Sequence, residues 1–477
     1  MTELHDLTAV EQCAALATGK VSSLELTEHY LDRIERLAEP LGAFVNLTPD
    51  LARTEAAAAD RLLAAGTHPG MHLLGLPIAF KDLQPVAGIP ITNGTTAVPP
   101  ITADRNAAAV GLIRGAGAVT LGTTHAPEFG IPCYTDTAVV GRPAVVPYDT
   151  TRYASGSSGG AAAAVAAGLI PVGHGSDGAG SVRSPAAVCG LVGIKPTRGV
   201  VSTAPNVSFL SFSTDGPLAR TVADAALLLD AMAGQAPTGI YGTSVMEGQT
   251  FLAATDRPPS RPLRLAVWTD SGLVEPHPEV VRAVERIVGL LSDLGHSVVE
   301  IANPAPWDEL TSNALFDYIA SVVSSMLGGL PDSAASLLQD VTVWMLERGE
   351  LLTAAQFVRA TTALAELSVK LLAGVEPFDA VITPVSAKPA VPVGYFHQDG
   401  VEHAARRMLE WSAYTPLQNT SGLPAVSLPA HVTPNGLPVG VQLTAGRHGA
   451  DLLLLSLAAQ LETAIGWPHR HPPQWHQ

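Results

Sequence analysis

Apolar and polar positions divide the chain into short apolar runs and longer stretches with helical spacing. Leu74 to Phe80, Ala118 to Gly122, Leu263 to Trp268, Ser297 to Ile301, Ala380 to Pro384, Ala425 to Leu428 and Val439 to Leu443 are bounded runs of the buried-strand kind. Helical patterns lie between most of them. Ser23 to Leu37 has apolar residues near helical spacing, and Thr48-Pro49-Asp50 reads as cap, first-turn proline and first-turn acid of a helix reaching about Ala65. The alternation predicts an α/β fold with a mixed, mainly parallel central sheet covered by helices on both faces. From Trp307 to Leu372 only Gly328, Gly329, Pro331 and Gly349 interrupt a helical pattern. This stretch, 307–372, is expected to form a helix-rich cap on a single domain spanning 1–477.

Composition narrows the function classes. With 47% hydrophobic and 15% charged residues, a chain of 477 has material for a sizeable core and is not disordered. Acidic residues outnumber basic ones 43 to 27, for a net charge of −16, and no basic run is present, so no nucleic acid is expected as a partner. Cys13, Cys133 and Cys189 form no C-x-x-C pair, which argues against zinc or a redox dithiol and suits a reducing, cytoplasmic setting. Met1 to Glu11 lacks the basic start and apolar stretch of a secretion signal. Gly159 to Val172, the most apolar stretch, is broken by Gly168 and Pro171 and falls short of the ~20 residues that span a bilayer. No membrane partner is expected.

The chemistry concentrates in two glycine-serine loops, Tyr153 to Gly160 and Gly173 to Pro185, that flank one small alanine-rich helix. Glycine lets main-chain N–H groups approach a ligand closely, as an oxyanion site requires. Gly173 to Gly178 also matches G-x-G-x-x-G, yet Pro185 interrupts early and no acidic residue occurs between Asp177 and Asp215, so a dinucleotide site is disfavoured. Gly156 to Gly160 matches G-x-S-x-G, which would make Ser158 a nucleophile, but the polar, turn-like residues 147–153 are not the buried strand that such an elbow ends. Lys81 closes an apolar run, where burial would lower its pKa and allow it to act as a general base. The alternative is a strand-end lysine paired with Asp82, which alternation of side chains across a strand disfavours.

Gly75-Leu76-Pro77 with Lys81-Asp82, Gly156-Ser157-Ser158-Gly159-Gly160, Gly180-Ser181-Val182-Arg183 with Pro185-Ala186, and Gly193-Ile194-Lys195-Pro196-Thr197 together resemble the amidase signature family. Asp379 to Pro384 and Asn419 to Ala425 resemble its later segments, so the likeness covers nearly the whole chain. It implies the amidase signature fold and a Ser-cisSer-Lys triad, with Ser181 as nucleophile, Ser157 as relay after a cis peptide and Lys81 as base. It also implies an oxyanion hole from the N–H groups of Gly178, Ala179, Gly180 and Ser181, supported by Asp177 and Arg183. Gly178-Ala179 departs from the family's usual bulky aliphatic residue and glycine. His174 with Ala179 to Arg183 resembles the branch containing 6-aminohexanoate cyclic-dimer hydrolases, and a structural role for His174 is expected over a basic one.

The activity expected is that of a serine hydrolase cleaving a C–N bond of neutral aryl or alkyl amides through an acyl-enzyme, with esters and carbamates as further candidates. Neither metal nor organic cofactor is required. Phe129 to Tyr134 would supply an apolar wall, with Gly130, Ile131, Cys133 and Tyr134 as substrate-binding residues, and the cap would add Trp307, Phe316, Tyr318, Met326, Trp344, Met345 and Phe357. The rival reading is the A subunit of a glutamine-dependent tRNA amidotransferase. A homodimer is one assembly the expectation allows.

Overall fold

The computed structural model describes residues 3–66, 70–205, 211–234 and 249–477. Its frame is an eleven-stranded sheet. In chain order the strands are β1 (Phe44–Leu47), β2 (Pro77–Lys81), β3 (Val119–Thr124), β4 (Val172–Asp177), β5 (Val192–Lys195), β6 (Thr214–Ala219), β7 (Arg264–Val267), β8 (Ser297–Glu300), β9 (Ala380–Pro384), β10 (Ala425–Val432) and β11 (Pro438–Ala445). They lie in the order β1-β3-β2-β4-β6-β5-β10-β11-β9-β7-β8. Every residue of β2, β3, β4, β5, β6 and β9 is buried. Successive side chains on a strand point to opposite faces, so burial without alternation means that both faces are covered.

The sheet is mixed, but it is not mainly parallel. The pairs β2/β3, β2/β4, β7/β9 and β7/β8 are parallel, and the other six are antiparallel. One reason is local: β10 and β11 form a hairpin closed by the Thr433 N–H to Leu437 O bond, a turn too short for a parallel crossover. The other is that β4, β5 and β6 carry Gly, His, Ser, Asp, Lys, Thr and Pro residues, so no uninterrupted apolar run marks them.

Helix α1 (Ser23–Leu41) starts where Ser22 Oγ accepts from Glu25 N–H at 3.0 Å and ends at Gly42 in the left-handed region. Helix α2 (Pro49–Ala65) opens on its proline, as expected, but the Thr48 hydroxyl does not cap it; it donates to Thr120 O at 3.1 Å. Helix α3 (Gly159–Ala166) is buried along its whole length. It is built of small residues because the sheet leaves no room: a Cβ on Gly160 would stand 2.5 Å from Ala43 O and His125 N. Helix α4 (Arg183–Cys189) is equally buried.

Residues 307–372 contain α5 (Glu309–Leu327), α6 (Asp340–Glu350) and the larger part of α7 (Ala354–Val375), with α5 packed on both of the others. This group is tied to the loop ahead of α3. Gln339 N–H donates to Glu128 Oε2 at 2.8 Å, and Gln339 Nε2 donates to Asp136 O at 2.7 Å. Trp307 and Met345 belong to the core, whereas Met326 is 57% exposed on the outer surface. Among the described residues no helix is long and apolar enough to cross a membrane.

Candidate active site

The site forms where β2 and β4 run parallel beneath the N-terminus of α3. Gly173 lies opposite Ala79, a register that sets Lys81, the last residue of β2, beside the Gly175–Ser176 end of β4. The Lys81 side chain is fully buried. Its Nζ stands 2.7 Å from Ser157 Oγ and donates to Ser176 Oγ at 3.0 Å and Ser176 O at 3.2 Å. Burial draws the ammonium down to about 7, against the neighbouring charges of Asp215 and Asp177, which favour its protonated form. As a neutral amine Nζ would give its two N–H groups to Ser176 and turn its lone pair to the Ser157 hydroxyl. Asp82 turns away, accepting from Thr92 N–H at 3.2 Å, and burial raises its carboxyl to about 6.

Ser157 follows the cis Gly156–Ser157 peptide. Ser158, next in line, is fully buried, with its hydroxyl 3.4 Å from Ser176 O. The residues before it form β-structure outside the central sheet, so the strand that a nucleophile elbow requires is not there. Gly173 to Asp177 likewise lie inside β4, and the G-x-G-x-x-G match forms no phosphate loop. Ser181 is half-buried, and its carbonyl accepts from Ser158 N–H at 3.1 Å, which joins the two serine loops through the main chain.

Asp177 and Arg183 shape the loop that carries Ser181. Asp177 accepts from the main-chain N–H groups of Gly180 at 2.8 Å and Val182 at 3.1 Å, and Arg183 Nη2 donates to it at 2.8 Å. Burial alone would raise this carboxyl, but the Arg183 guanidinium, helped by Lys195 and Asn419, holds it well below the usual carboxylate range. Arg183 is fully buried and also donates to Gln442 Oε1 at 2.6 Å, Asn419 Oδ1 at 2.5 Å and Gln418 Oε1 at 3.1 Å. Gln418 and Asn419 come from α8 (Pro416–Ser421).

This network corrects one expectation. The Gly180 N–H is committed to the Asp177 carboxylate and is not free for an oxyanion. Among the described residues the N–H groups of Gly178, Ala179 and Ser181 carry no hydrogen bond, so the uncommitted donors are these three. Gly180 has a different duty: its φ is +120°, and a Cβ there would meet Thr415 Oγ1 at 2.1 Å. Thr415 Oγ1 in turn donates to Ala179 O at 2.7 Å.

The loop expected to hold substrate borders the same place. A Cβ built on Gly130 would lie 3.4 Å from Ser157 Oγ, and one on Gly156 would press on the Cys133 and Tyr134 main chain. Ile131 and Cys133 are partly buried against the core. The Tyr134 ring is not at the serines; it stacks on Phe396 with centroids 5.2 Å apart and an interplanar angle of 12°. His174 lies behind Lys81. Its Nδ1 accepts from Lys81 N–H at 3.4 Å, which leaves the proton on Nε2, 3.5 Å from Asp215 Oδ2. His174, Lys81 and Asp215 are all buried here, and the histidine contacts the end of β2.

Sequence reasoning missed Ser176, Thr415, Gln418, Asn419 and Gln442. Ser176 was readable in principle, since it lies two residues beyond His174 on the same face of a strand. The other four come from more than 200 residues downstream of Asp177 and carry no local signal.

Similarity to known proteins extends along nearly the whole chain. A family model described as Amidase matches residues 25–455. An acylamidase of Rhodococcus erythropolis is 34% identical over 99% of this chain and 98% of its own. The solved structure of 6-aminohexanoate cyclic dimer hydrolase in complex with substrate superposes with a TM-score of 0.89 at 28% identity, over 99% of each chain. That of a bacterial aryl acylamidase superposes with a TM-score of 0.88 at 26% identity, over 97% of each. The chain belongs to the amidase signature family of amide hydrolases.

Proposed function

We propose that the protein is a serine amidohydrolase that cleaves neutral aryl or alkyl amides through an acyl-enzyme on Ser181. The observation that carries the reading is the neutral-prone, fully buried Lys81 amine, 2.7 Å from Ser157 Oγ. Lys81 takes the Ser157 proton as Ser157 takes that of Ser181, and Ser181 Oγ bonds to the substrate carbonyl carbon. The developing oxyanion lies against the N–H groups of Gly178, Ala179 and Ser181. The proton then passes back through Ser157 to the leaving nitrogen, the C–N bond breaks, and water repeats the relay to release the acid. Gly130, Ile131 and Cys133 flank the reacting carbonyl, and the helices of 307–372 roof the cleft.

Free glutamine, the substrate of the rival reading, carries an ammonium and a carboxylate and needs fixed opposite charges near Ser181. Asp177 and Arg183, the charged pair on this loop, are already bonded to each other and buried. The deciding experiment compares kcat/KM for an anilide series with that for glutamine on the isolated protein. Preference for the anilides is expected. Glutaminase preference, or activity that requires added partner subunits and charged tRNA, overturns the proposal.

A further inference from the structure

A concavity lies beside Tyr134, apart from the serine loops. It encloses about 400 Å³ and is lined by Tyr134, Asp136, Gln339, Asp340, Phe396 and His397 among others, and by none of Lys81, Ser157, Ser176 or Ser181. The volume is within the roughly 300–1,000 Å³ of small-molecule sites. Its chemistry is one-sided. Two carboxylates, the half-buried Asp136 and the exposed Asp340, line it together with His397, which lies close enough to act on Asp136; no lysine or arginine does, and among the described residues neither carboxylate is in an ion pair.

The polar groups are held but not satisfied. Gln339 is fixed by its N–H on Glu128 Oε2 at 2.8 Å and its Nε2 on Asp136 O at 2.7 Å, while its Oε1 is buried with no hydrogen-bond partner among the described residues. An unpartnered buried acceptor is destabilising unless a donor reaches it. Asp136 accepts one long bond, from Tyr153 OH at 3.3 Å, and its half-burial pushes its carboxyl up from the usual value. The remaining wall is aromatic: Tyr134 stacks on Phe396 at 5.2 Å, and His397 stands edge-on to Tyr134 at 5.0 Å. Carboxylates, a lone acceptor and aromatic rings all favour a ligand that donates hydrogen bonds and carries positive charge.

We propose that this cavity is a binding site for an organic ammonium ion, a primary amine on a small apolar body. The ammonium lies between Asp136 and Asp340 and donates to Gln339 Oε1, and the apolar body rests against Tyr134 and Phe396. Such a cation has two sources, a free amine or the charged end of a longer substrate whose amide reaches Ser181. The site does not depend on the hydrolase reading, because binding requires neither Ser181 nor turnover.

The test is calorimetric titration of the full-length Ser181→Ala protein with phenethylammonium and with its neutral isostere 2-phenylethanol. Saturable binding of the ammonium, at least tenfold tighter than that of the alcohol, is expected. Asp136→Asn/Asp340→Asn should weaken it at least tenfold, and Ala138→Trp, which fills the exposed rim with both carboxylates intact, should abolish it. Equal binding of the alcohol, or unchanged affinity in both variants, overturns the proposal, as does no binding at millimolar ligand. The two sources separate in the wild-type protein. A free amine leaves anilide hydrolysis uncompeted, while a substrate tail makes phenethylammonium a competitive inhibitor of anilides that bear an ammonium chain and not of those that lack one. Either pattern supports the site, and failure of anilide hydrolysis would bear only on the catalytic reading.

Discussion

Three serines lie within one loop's reach of each other, and their surroundings assign them different work. Ser158 is fully buried on a main-chain acceptor, whereas Ser181 is half-buried, and its own N–H carries no hydrogen bond among the described residues. Ser181→Ala should reduce kcat/KM by roughly 10³-fold or more, since it removes the covalent step. Ser158→Ala should cost about 1 kcal/mol of stability through a weak hydrogen bond and leave most activity. Mass mapping after labelling with a sulfonyl fluoride checks the assignment; a label on Ser158 would reverse it. Lys81 must be unprotonated to accept a proton, and its pKa is about 7. The ammonium form dominates below that value, so kcat/KM should climb as pH rises through about 7 and level off above. Lys81→Arg keeps the charge and should lose about 10²–10⁴-fold at every pH. A near-wild-type rate for that variant would remove Lys81 from the mechanism.

At the level of elements, the loop between β4 and α4 is aimed by pieces of backbone rather than by helix or strand propensity. Gly180 has φ +120°, and its missing Cβ leaves room for Thr415. Gly180→Ala should reduce kcat by at least about tenfold, because a non-glycine residue in such backbone costs about 1–3 kcal/mol and would displace Ser181 and the neighbouring N–H donors. Adding Thr415→Ser removes a methyl group but neither the hydroxyl nor the strained φ, so the double variant should recover little. Full recovery, read from steady-state kinetics, would show that neither the strained φ nor the contact with the hydroxyl was at fault. The expected buried strands were read correctly at β7 and β9 for instance, whereas β8 was found in place but is the edge strand of the sheet and largely exposed, not buried. β4, β5 and β6 were poorly marked because the strands that carry the chemistry are the polar and glycine-containing ones.

For the whole molecule, the Asp177–Arg183 pair links β4, α4, α8 and β11 in one buried network. Arg183→Ala would leave a buried carboxylate without its cation, a change that costs about 3–5 kcal/mol. Urea unfolding at pH 7 should report this loss, and a loss below about 1 kcal/mol would show that the network holds without the guanidinium. The pH dependence has a definite sign. The folded pKa of Asp177 is depressed, so the stability it contributes is present above the unfolded value of about 3.9 and is lost as pH falls below it. Lys81 and Lys195 act in the opposite range. Both are drawn down to about 7 by burial, so the unfolded chain binds more protons between about 7 and 10.5, and their contribution to stability rises with pH there.

The sequence alone determined the positions of most apolar strands, the glycine-serine loops, the lysine at a strand end and a family likeness extending along nearly the whole chain. Those features are local, because burial of a strand and the φ freedom of a loop are set by the residues that form them. Tertiary structure decided the rest. Strand direction depends on how connections close, which apolar periodicity does not record, so the expected parallel majority gave way to six antiparallel pairings. The loss of Gly180 from the oxyanion donors required knowing that the Asp177 carboxylate folds back three residues to claim its N–H. Likewise the partners of Arg183, as far away as Gln442, and the unpaired carboxylates around Tyr134 are set by contacts between segments distant in the chain, which no window of sequence contains.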